Sequence, residues 1–216
     1  MTPQLVSIPA DDVHIDGLLE LPAEAQGLVL FAHGSGSSRH SPRNIFVARA
    51  LQEQGIGTLL LDLLTLAEDL DYQSRFDIAL LTHRLLIATH WVQRHTPPTR
   101  LLPLGYFGAS TGAAAALQAA AALGEDIHAV VSRGGRPDLA GSRELAKVTA
   151  PTLLLVGGRD EEVLALNRAA YARLSCSKEL SIISGATHLF EEAGTLDQVA
   201  QQASRWFKRY LTAGSI

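Results

Sequence analysis

Gly108-Ala109-Ser110-Thr111-Gly112 is the only stretch of this chain with the spacing Gly-x-Ser-x-Gly. An apolar run, Leu104 to Phe107, precedes it and an alanine-rich run follows. That order passes a strand into a helix through a turn so sharp that the middle hydroxyl stands clear of the backbone. Glycines two before and two after are needed because a Cβ at either place would collide as strand and helix close up. A serine hydroxyl is a weak nucleophile alone, so it requires a base within hydrogen-bond reach and a third group to orient that base. Of eight histidines, His14, His33, His40, His83, His90 and His95 precede Ser110, and only His128 and His188 follow it. His128 falls inside an apolar strand pattern and reads as structural. His188 comes after the turn Gly185-Ala186-Thr187, on a loop at the mouth of a sheet, and is the expected base, taking the serine proton and returning it to the leaving group. Asp160, at the end of Gly157-Gly158-Arg159-Asp160, is the expected carboxylate that fixes the imidazole tautomer and stabilises its cation. Its two glycines are expected to let the loop bend sharply beneath His188. Asp138, which also follows a strand pattern, is the alternative.

Acyl transfer further needs donors aimed at the developing oxyanion, and two backbone N–H groups, each worth about 3 kcal/mol, are the usual supply. Thr111, next to the nucleophile, would provide one. The loop His33-Gly34-Ser35-Gly36-Ser37-Ser38 would provide the other, with Ser35 first and Gly34 or Gly36 behind it; His33 itself reads as a brace for the loop. A strand, glycine loop and helix also hold phosphates. This loop lacks the Gly-x-Gly-x-x-Gly spacing and the Gly-Lys-Ser/Thr ending, which leaves a phosphate- or nucleotide-binding domain, or a non-catalytic one, as the alternative function. Two loops expected near the site carry arginines: Arg39 and Arg43, and Arg133 and Arg136. A guanidinium holds carboxylate or phosphate through a planar fork, so an acidic substrate group is one expectation. Pairing with Asp62, Asp69, Asp71 or Asp138 is the other.

Such groups must be delivered by regular elements. Leu28–Ala32, Thr58–Leu61, Leu104–Phe107, Ile127–Ser132, Thr152–Val156 and Leu180–Ile183 read as strands, mostly apolar throughout, as where both faces are buried. Val6–Ile8 and Val13–Leu21 suggest an antiparallel start. Helical patterns alternate with them. One opens at Ser41-Pro42 and closes at Gly55; Phe76–Val92 ends near Pro97-Pro98; Thr111–Leu123 stops at Gly124. Glu162–Leu174 follows, and a last segment repeats Leu196, Val199, Ala200, Ala203, Trp206, Phe207, Tyr210 and Leu211 at three- and four-residue steps. The alternation predicts one α/β domain over residues 1–216, a mostly parallel sheet with helices on both faces. In such a sheet functional groups collect beyond the carboxyl ends of the strands, where all four pieces of chemistry fall. The acidic, leucine-containing loop from Asp62 to Arg75 either borders the pocket or covers a sheet edge.

Composition narrows the function class. A net charge of −4 and a pI near 6.0 argue against a nucleic-acid partner. The one cysteine, Cys176, excludes an internal disulfide framework or a multi-cysteine metal site; placed late in a helical pattern, it reads as a buried or half-buried side chain. Met1–Val13 has neither a basic start nor an apolar core, so no secretory signal is visible. The most apolar run, Ala113–Leu123, is short for a membrane span. A cytoplasmic location without membrane association, as monomer or homodimer, is the expectation.

The serine elbow, the His-Gly loop and the chain order Ser110, Asp160, His188 together resemble the α/β-hydrolase superfamily over nearly the whole chain. Small size, and no insertion for a lid domain between Ser132 and Thr152, is similar to its dienelactone hydrolase-like group. The resemblance implies a sheet of about eight strands and hydrolysis of a small-molecule ester with no cofactor and no metal. The dienelactone hydrolases proper use cysteine where this chain has Ser110, which points to a carboxylesterase.

Overall fold

Leu28, Leu30 and Ala32 turn their side chains to one face of a strand, Val29 and Phe31 to the other, and all five are buried. The same division repeats along the sheet, with Leu154 on the first face and Leu153 and Leu155 on the second. Continuously apolar strands therefore mean a sheet covered on both sides. The computed structural model describes residues 3–95 and 99–212. Its strands are β1 (Gln4–Ala10), β2 (Val13–Glu20), β3 (Leu28–Ala32), β4 (Gly57–Leu61), β5 (Leu104–Ala109), β6 (Ile127–Arg133), β7 (Thr152–Gly157) and β8 (Lys178–Ile183). They form one sheet in the order β1-β2-β4-β3-β5-β6-β7-β8. The first two strands run antiparallel to each other, β2 runs antiparallel to β4, and β3 through β8 pair in parallel.

Among the described residues seven α-helices accompany it: α1 (Pro42–Glu53), α2 (Leu66–Leu70), α3 (Ile78–His95), α4 (Thr111–Leu123), α5 (Ser142–Leu145), α6 (Glu161–Arg173) and α7 (Thr195–Leu211). Val47, Ala48 and Leu51 of α1 and Val199, Ala203, Phe207 and Leu211 of α7 cover one face. The expected apolar stripe of α7 is thus its buried side, each large side chain there contributing about 1.5–3 kcal/mol. Leu81, Leu85 and Ala88 of α3, the alanines of α4 and Ala170 of α6 cover the other. Among the described residues no helix is long and apolar enough to cross a membrane.

Several boundaries differ from the sequence reading, each for a local reason. The long helix starts at Ile78 rather than Phe76, because the Asp77 carboxylate accepts the Leu80 N–H at 3.0 Å as an N-cap, while Ser74–Phe76 forms a separate 3₁₀ turn. Pro97 and Pro98, its expected stop, lie outside the described residues. The last strand begins at Lys178, since an edge strand tolerates the polar Lys178 and Glu179 that an apolar run omits. His128 is exposed at the start of β6, not packed inside it. Cys176 lies beyond the end of α6 and is half-buried, its Sγ 3.7 Å from Thr152 Oγ1; burial pushes its thiol up. Within the Asp62–Arg75 segment Thr65 and Glu68 form a reciprocal capping box that starts α2.

The hand-over from β5 to α4 is as tight as the glycine spacing requires. A Cβ on Gly108 would stand 2.5 Å from Ala113 Cα, and one on Gly112 would stand 2.2 Å from the carbonyl oxygen of Ala32 and 2.4 Å from that of His33. Both neighbours of Gly112 are backbone and cannot swing aside. Gly112→Ala should therefore destabilise the fold by about 2–3 kcal/mol, despite alanine's better helix propensity. In a domain of this size that lowers Tm by roughly 5–10 °C, readable by thermal denaturation; an unchanged Tm would show that β3 and α4 are less tightly opposed.

Candidate active site

The chain reaches Ser110 in a conformation that L-residues avoid, φ 49° and ψ −120°. Such backbone costs on the order of 1–3 kcal/mol and persists only where its surroundings enforce it. Here the Ser110 N–H donates to Arg133 O at 3.3 Å, and Ser110 O accepts from Ala113 N at 3.1 Å and Arg136 N at 3.0 Å. The elbow is thereby clamped between its own helix and the end of β6.

His188 Nδ1 lies 2.6 Å from Asp160 Oδ2, the distance of a charge-assisted hydrogen bond. The carboxylate is the more buried partner, with 14% of its side chain exposed against 39% for the imidazole. Asp160 occupies the N-cap position of α6, yet its side chain makes no capping bond and is spent on His188 instead. Two backbone bonds join the two loops, Gly158 N to Ile183 O and Arg159 N to Ala186 O, and a third, Asp160 N to Gly157 O, closes the turn between β7 and α6. The loop does bend sharply, through the turn closed by Asp160 N and Gly157 O, but neither glycine has the positive φ that would make it necessary for that bend. Gly157 is needed for close approach: a Cβ there would meet the carbonyl oxygens of Ala186 and Thr187 at 2.5 and 2.6 Å. On the far side the Thr187 N–H donates to Glu192 Oε2 at 3.1 Å, a support for which the sequence spacing carried no signal.

Ser110 and His188 border the same segment. The position of a Cβ on Gly134 is 3.6 Å from His188 Cε1, while residues 133 and 136, on either side, hold the Ser110 backbone. Among the described residues no hydrogen bond joins the Ser110 hydroxyl to His188; such bonds are often long before substrate binds. Asp138 is turned elsewhere, its carboxylate gripped by Arg136 through two bonds of 2.9 and 2.8 Å.

The His33–Ser38 loop lies directly against the elbow, with a Cβ on Gly34 reaching only 3.0 Å from Ser110 Cβ. Gly34, Ser35, Gly36 and Thr111 line one small cavity with Leu64 and Arg75. Among the described residues no acceptor takes the N–H of Ser35 or of Thr111. His33 is buried, its Nε2 accepting the Leu63 N–H at 3.0 Å and its Nδ1 lying 2.9 Å from Gly34 O. Since Leu63 can only donate, Nε2 is unprotonated and Nδ1–H donates to Gly34: a neutral ring ties the loop to the end of β4. Burial lowers the His33 pKa, against the opposing pull of the Gly34 carbonyl, Asp62 and Asp69. A depressed folded-state value means that the unfolded chain binds the proton first. The stabilisation is complete above about pH 6.5 and drains away as pH falls below that toward the folded-state pKa. His33→Gln should lower Tm at pH 7.5 but flatten its fall between pH 6.5 and 5, measured by thermal denaturation across that range; a parallel fall in both proteins would contradict the neutral brace.

The four arginines separate. Arg39 pairs with Asp62 and Arg136 with Asp138, the internal pairing that was one of the two expectations for them. Arg43 reaches the exposed Glu191, at 3.5 Å. Arg133 is buried and, among the described residues, has no carboxylate partner. Its Nη2 is 3.5 Å from Asn44 Oδ1, its guanidinium stands 5.9 Å from the centre of the Phe190 ring, and its Nε and Nη1 have no hydrogen-bond partner. Burial, with the charge of Arg43 beside it, pulls its pKa down to about 10, which still leaves it a cation at neutral pH. Among the described residues no group of three His, Cys, Asp or Glu side chains is placed to hold a metal ion.

No protein-family model matches the chain. A dienelactone hydrolase from Anabaena variabilis is 55% identical and superposes with a TM-score of 0.92, over 98% of this chain and 100% of that one. A lidless α/β serine hydrolase from Xanthomonas campestris has a TM-score of 0.79 at 22% identity, over 98% and 96% of the two chains. Est1E from Butyrivibrio proteoclasticus superposes at 0.81 with 17% identity, over 95% and 98%; at these lower identities the likeness is one of fold. Two curated relatives from Mycobacterium tuberculosis, strains CDC 1551 / Oshkosh and ATCC 25618 / H37Rv, are each called a putative phosphoribosyl transferase. Both are 54% identical over 206 residues, which is 95% of this chain but 46% of theirs. The chain spans about half the length of the curated relatives it matches.

Proposed function

We propose that this chain, which belongs to the dienelactone hydrolase-like group of the α/β-hydrolases, is a serine hydrolase that cleaves small carboxylic esters or thioesters through an acyl-enzyme. The observation that carries this reading is the 2.6 Å contact of His188 Nδ1 with Asp160, on the rim that also bears the strained elbow of Ser110. With Nδ1 engaged, Nε2 is the nitrogen left to accept a proton. Ser110 Oγ attacks the ester carbonyl as its proton passes to His188 Nε2. The Ser35 and Thr111 N–H groups stabilise the oxyanion, at about 3 kcal/mol each. The imidazolium, steadied by Asp160, then protonates the leaving alkoxide or thiolate. A water deprotonated by His188 attacks the acyl-enzyme and releases the acid, restoring Ser110.

Serine at position 110 supports an esterase rather than the thiol chemistry of the dienelactone hydrolases proper. The transferase name belongs to relatives more than twice the matched length, so it describes proteins with a further half that this chain does not match. A fluorophosphonate probe and a series of 4-nitrophenyl esters of graded acyl length test the proposal. Labelling confined to Ser110 together with ester turnover is the expected result. A folded protein that neither labels nor turns over any ester would return the chain to the non-catalytic or phosphate-binding reading.

A further inference from the structure

An imidazole that works as a base must keep both its orientation and its place. Asp160 fixes the orientation of His188 through Nδ1. With 39% of its side chain exposed, the ring is little packed, so its place follows the backbone that carries it. That backbone is a tight turn, closed around His188 by the Phe190 N–H donating to Thr187 O at 3.3 Å. Ahead of it Ala186 is buried, and its carbonyl accepts the Arg159 N–H at 2.9 Å. Behind it Phe190 is buried in the core with φ 56°, a left-handed conformation that bulky side chains rarely adopt. A turn built on such a residue keeps its shape only where its surroundings enforce it.

Glu192 supplies that hold. Its Oε2 accepts the Thr187 N–H at 3.1 Å. Its own carbonyl accepts the N–H and the hydroxyl of Thr195, at 3.0 and 2.7 Å. Thr195 is the buried first residue of α7, so one residue ties the turn to a seventeen-residue helix lying on the sheet. The carboxylate gives that helix no capping bond, since α7 starts at Gly194 without a side-chain cap. Hydrogen bonds from the Thr187 hydroxyl and N–H, with the charge of Arg159 behind them, hold the Glu192 carboxyl below its usual range. It is therefore an ionised acceptor at neutral pH. Arg159 belongs to the Asp160 loop, so the loops of both the base and its carboxylate act on Glu192.

We propose that Glu192 is a positioning residue for catalysis: by taking the Thr187 N–H and pinning the Thr187–Phe190 turn to the start of α7, it sets the place of the His188 ring against Ser110. This role rests on the hydrolase reading of Ser110, His188 and Asp160. What works in it is the reach of the carboxylate oxygen to the turn, not the negative charge.

Three variants separate reach from charge. Glu192→Ala removes the acceptor. Glu192→Asp keeps the charge but draws the carboxylate back by one methylene, and Glu192→Gln gives up the charge but keeps an oxygen at the same reach. The readouts are kcat and KM for 4-nitrophenyl acetate and the rate at which a fluorophosphonate labels Ser110, taken well below Tm, with thermal denaturation alongside. Misplacing a catalytic group by about 1 Å costs on the order of 10²-fold, and loosening one of several ties should cost less. In the alanine and aspartate variants kcat and the labelling rate should fall about tenfold, with KM within about twofold of wild type, the pattern of a group that does not bind substrate. Glutamine should stay within about threefold of wild type in both rates. If the alanine variant fails to fold, the contrast of aspartate with glutamine carries the same comparison. An alanine variant with wild-type kcat and labelling, even at a lower Tm, would make Glu192 a structural residue and overturn the proposal. An aspartate variant faster than glutamine would also overturn it, since charge would then be the working feature. A wild-type protein that neither labels nor hydrolyses any ester would instead remove the hydrolase reading, and this role with it.

Discussion

Ser110→Ala should lower kcat/KM for an activated ester on the order of 10⁶-fold, about 8 kcal/mol of transition-state stabilisation, while the protein stays folded. The hydroxyl is the one atom removed, and the Cβ that remains keeps the same backbone conformation, φ 49° and ψ −120°. The strain of that conformation therefore persists in the alanine variant, and its Tm should stay within about 2 °C of wild type, a shift worth less than 1 kcal/mol. Ser110→Gly separates strain from chemistry. Glycine adopts this conformation freely, so it should be equally inactive yet more stable than the alanine variant by about 1 kcal/mol, the strain released less the entropy that glycine loses on folding. Stopped-flow or steady-state turnover of 4-nitrophenyl acetate reads the first effect, and urea denaturation the second. Substantial turnover by Ser110→Ala would place the nucleophile elsewhere. A glycine variant no more stable than alanine would mean that the elbow stores no strain.

The architecture was legible because the central strands β3 to β7 carry two apolar faces and α7 carries one. Leu28 to Ala32 had to be a doubly covered strand, and the periodicity from Leu196 to Leu211 had to be a helix lying on it. The elbow was legible for a different reason: two glycines at fixed spacing record a close approach that leaves no other choice, as the 2.2 Å from a Gly112 Cβ to Ala32 O makes plain. What sequence could not decide was which of several similar side chains meet. Asp160 and Asp138 each follow a strand, and four arginines lie in two short stretches; Arg39 meets Asp62 beyond the neighbouring ends of β3 and β4, whereas Arg136 meets Asp138 within its own loop. Only the fold shows that Arg136 closes on Asp138 while Arg133, three residues earlier, turns inward toward Asn44. Gly157 teaches the same lesson in smaller compass. The expected bend of the Asp160 loop is there, but what demands glycine at 157 is room for the passing backbone of Ala186 and Thr187.

Asp160→Asn is the sharper probe of how the site works, because it changes charge and hydrogen-bond direction while leaving shape nearly intact. The carboxylate can only accept, so in the resting state it takes the proton of His188 Nδ1–H and leaves Nε2 free to act as base. An amide in its place can present its NH₂ group to the ring, which would favour the opposite tautomer, with the proton on Nε2 where it cannot receive one from Ser110. It also withdraws the negative charge that steadies the imidazolium. The expected loss in kcat is about 10⁴-fold, less than for Ser110→Ala, with little change in KM because Asp160 has no direct role in substrate binding. The fold should not suffer. Asp160 is the N-cap of α6 but gives that helix no side-chain bond, and asparagine is as good an N-cap as aspartate. Its amide oxygen is thus free to cap if it leaves His188. Asp138→Asn is the matched control: it weakens only the grip on Arg136, a half-exposed pair worth no more than about 1 kcal/mol, and should leave kcat within about twofold of wild type. If Asp138→Asn instead produced the large loss and Asp160→Asn a small one, the contact at 2.6 Å would be structural, and the loop following β6 would have to swing toward His188 during turnover.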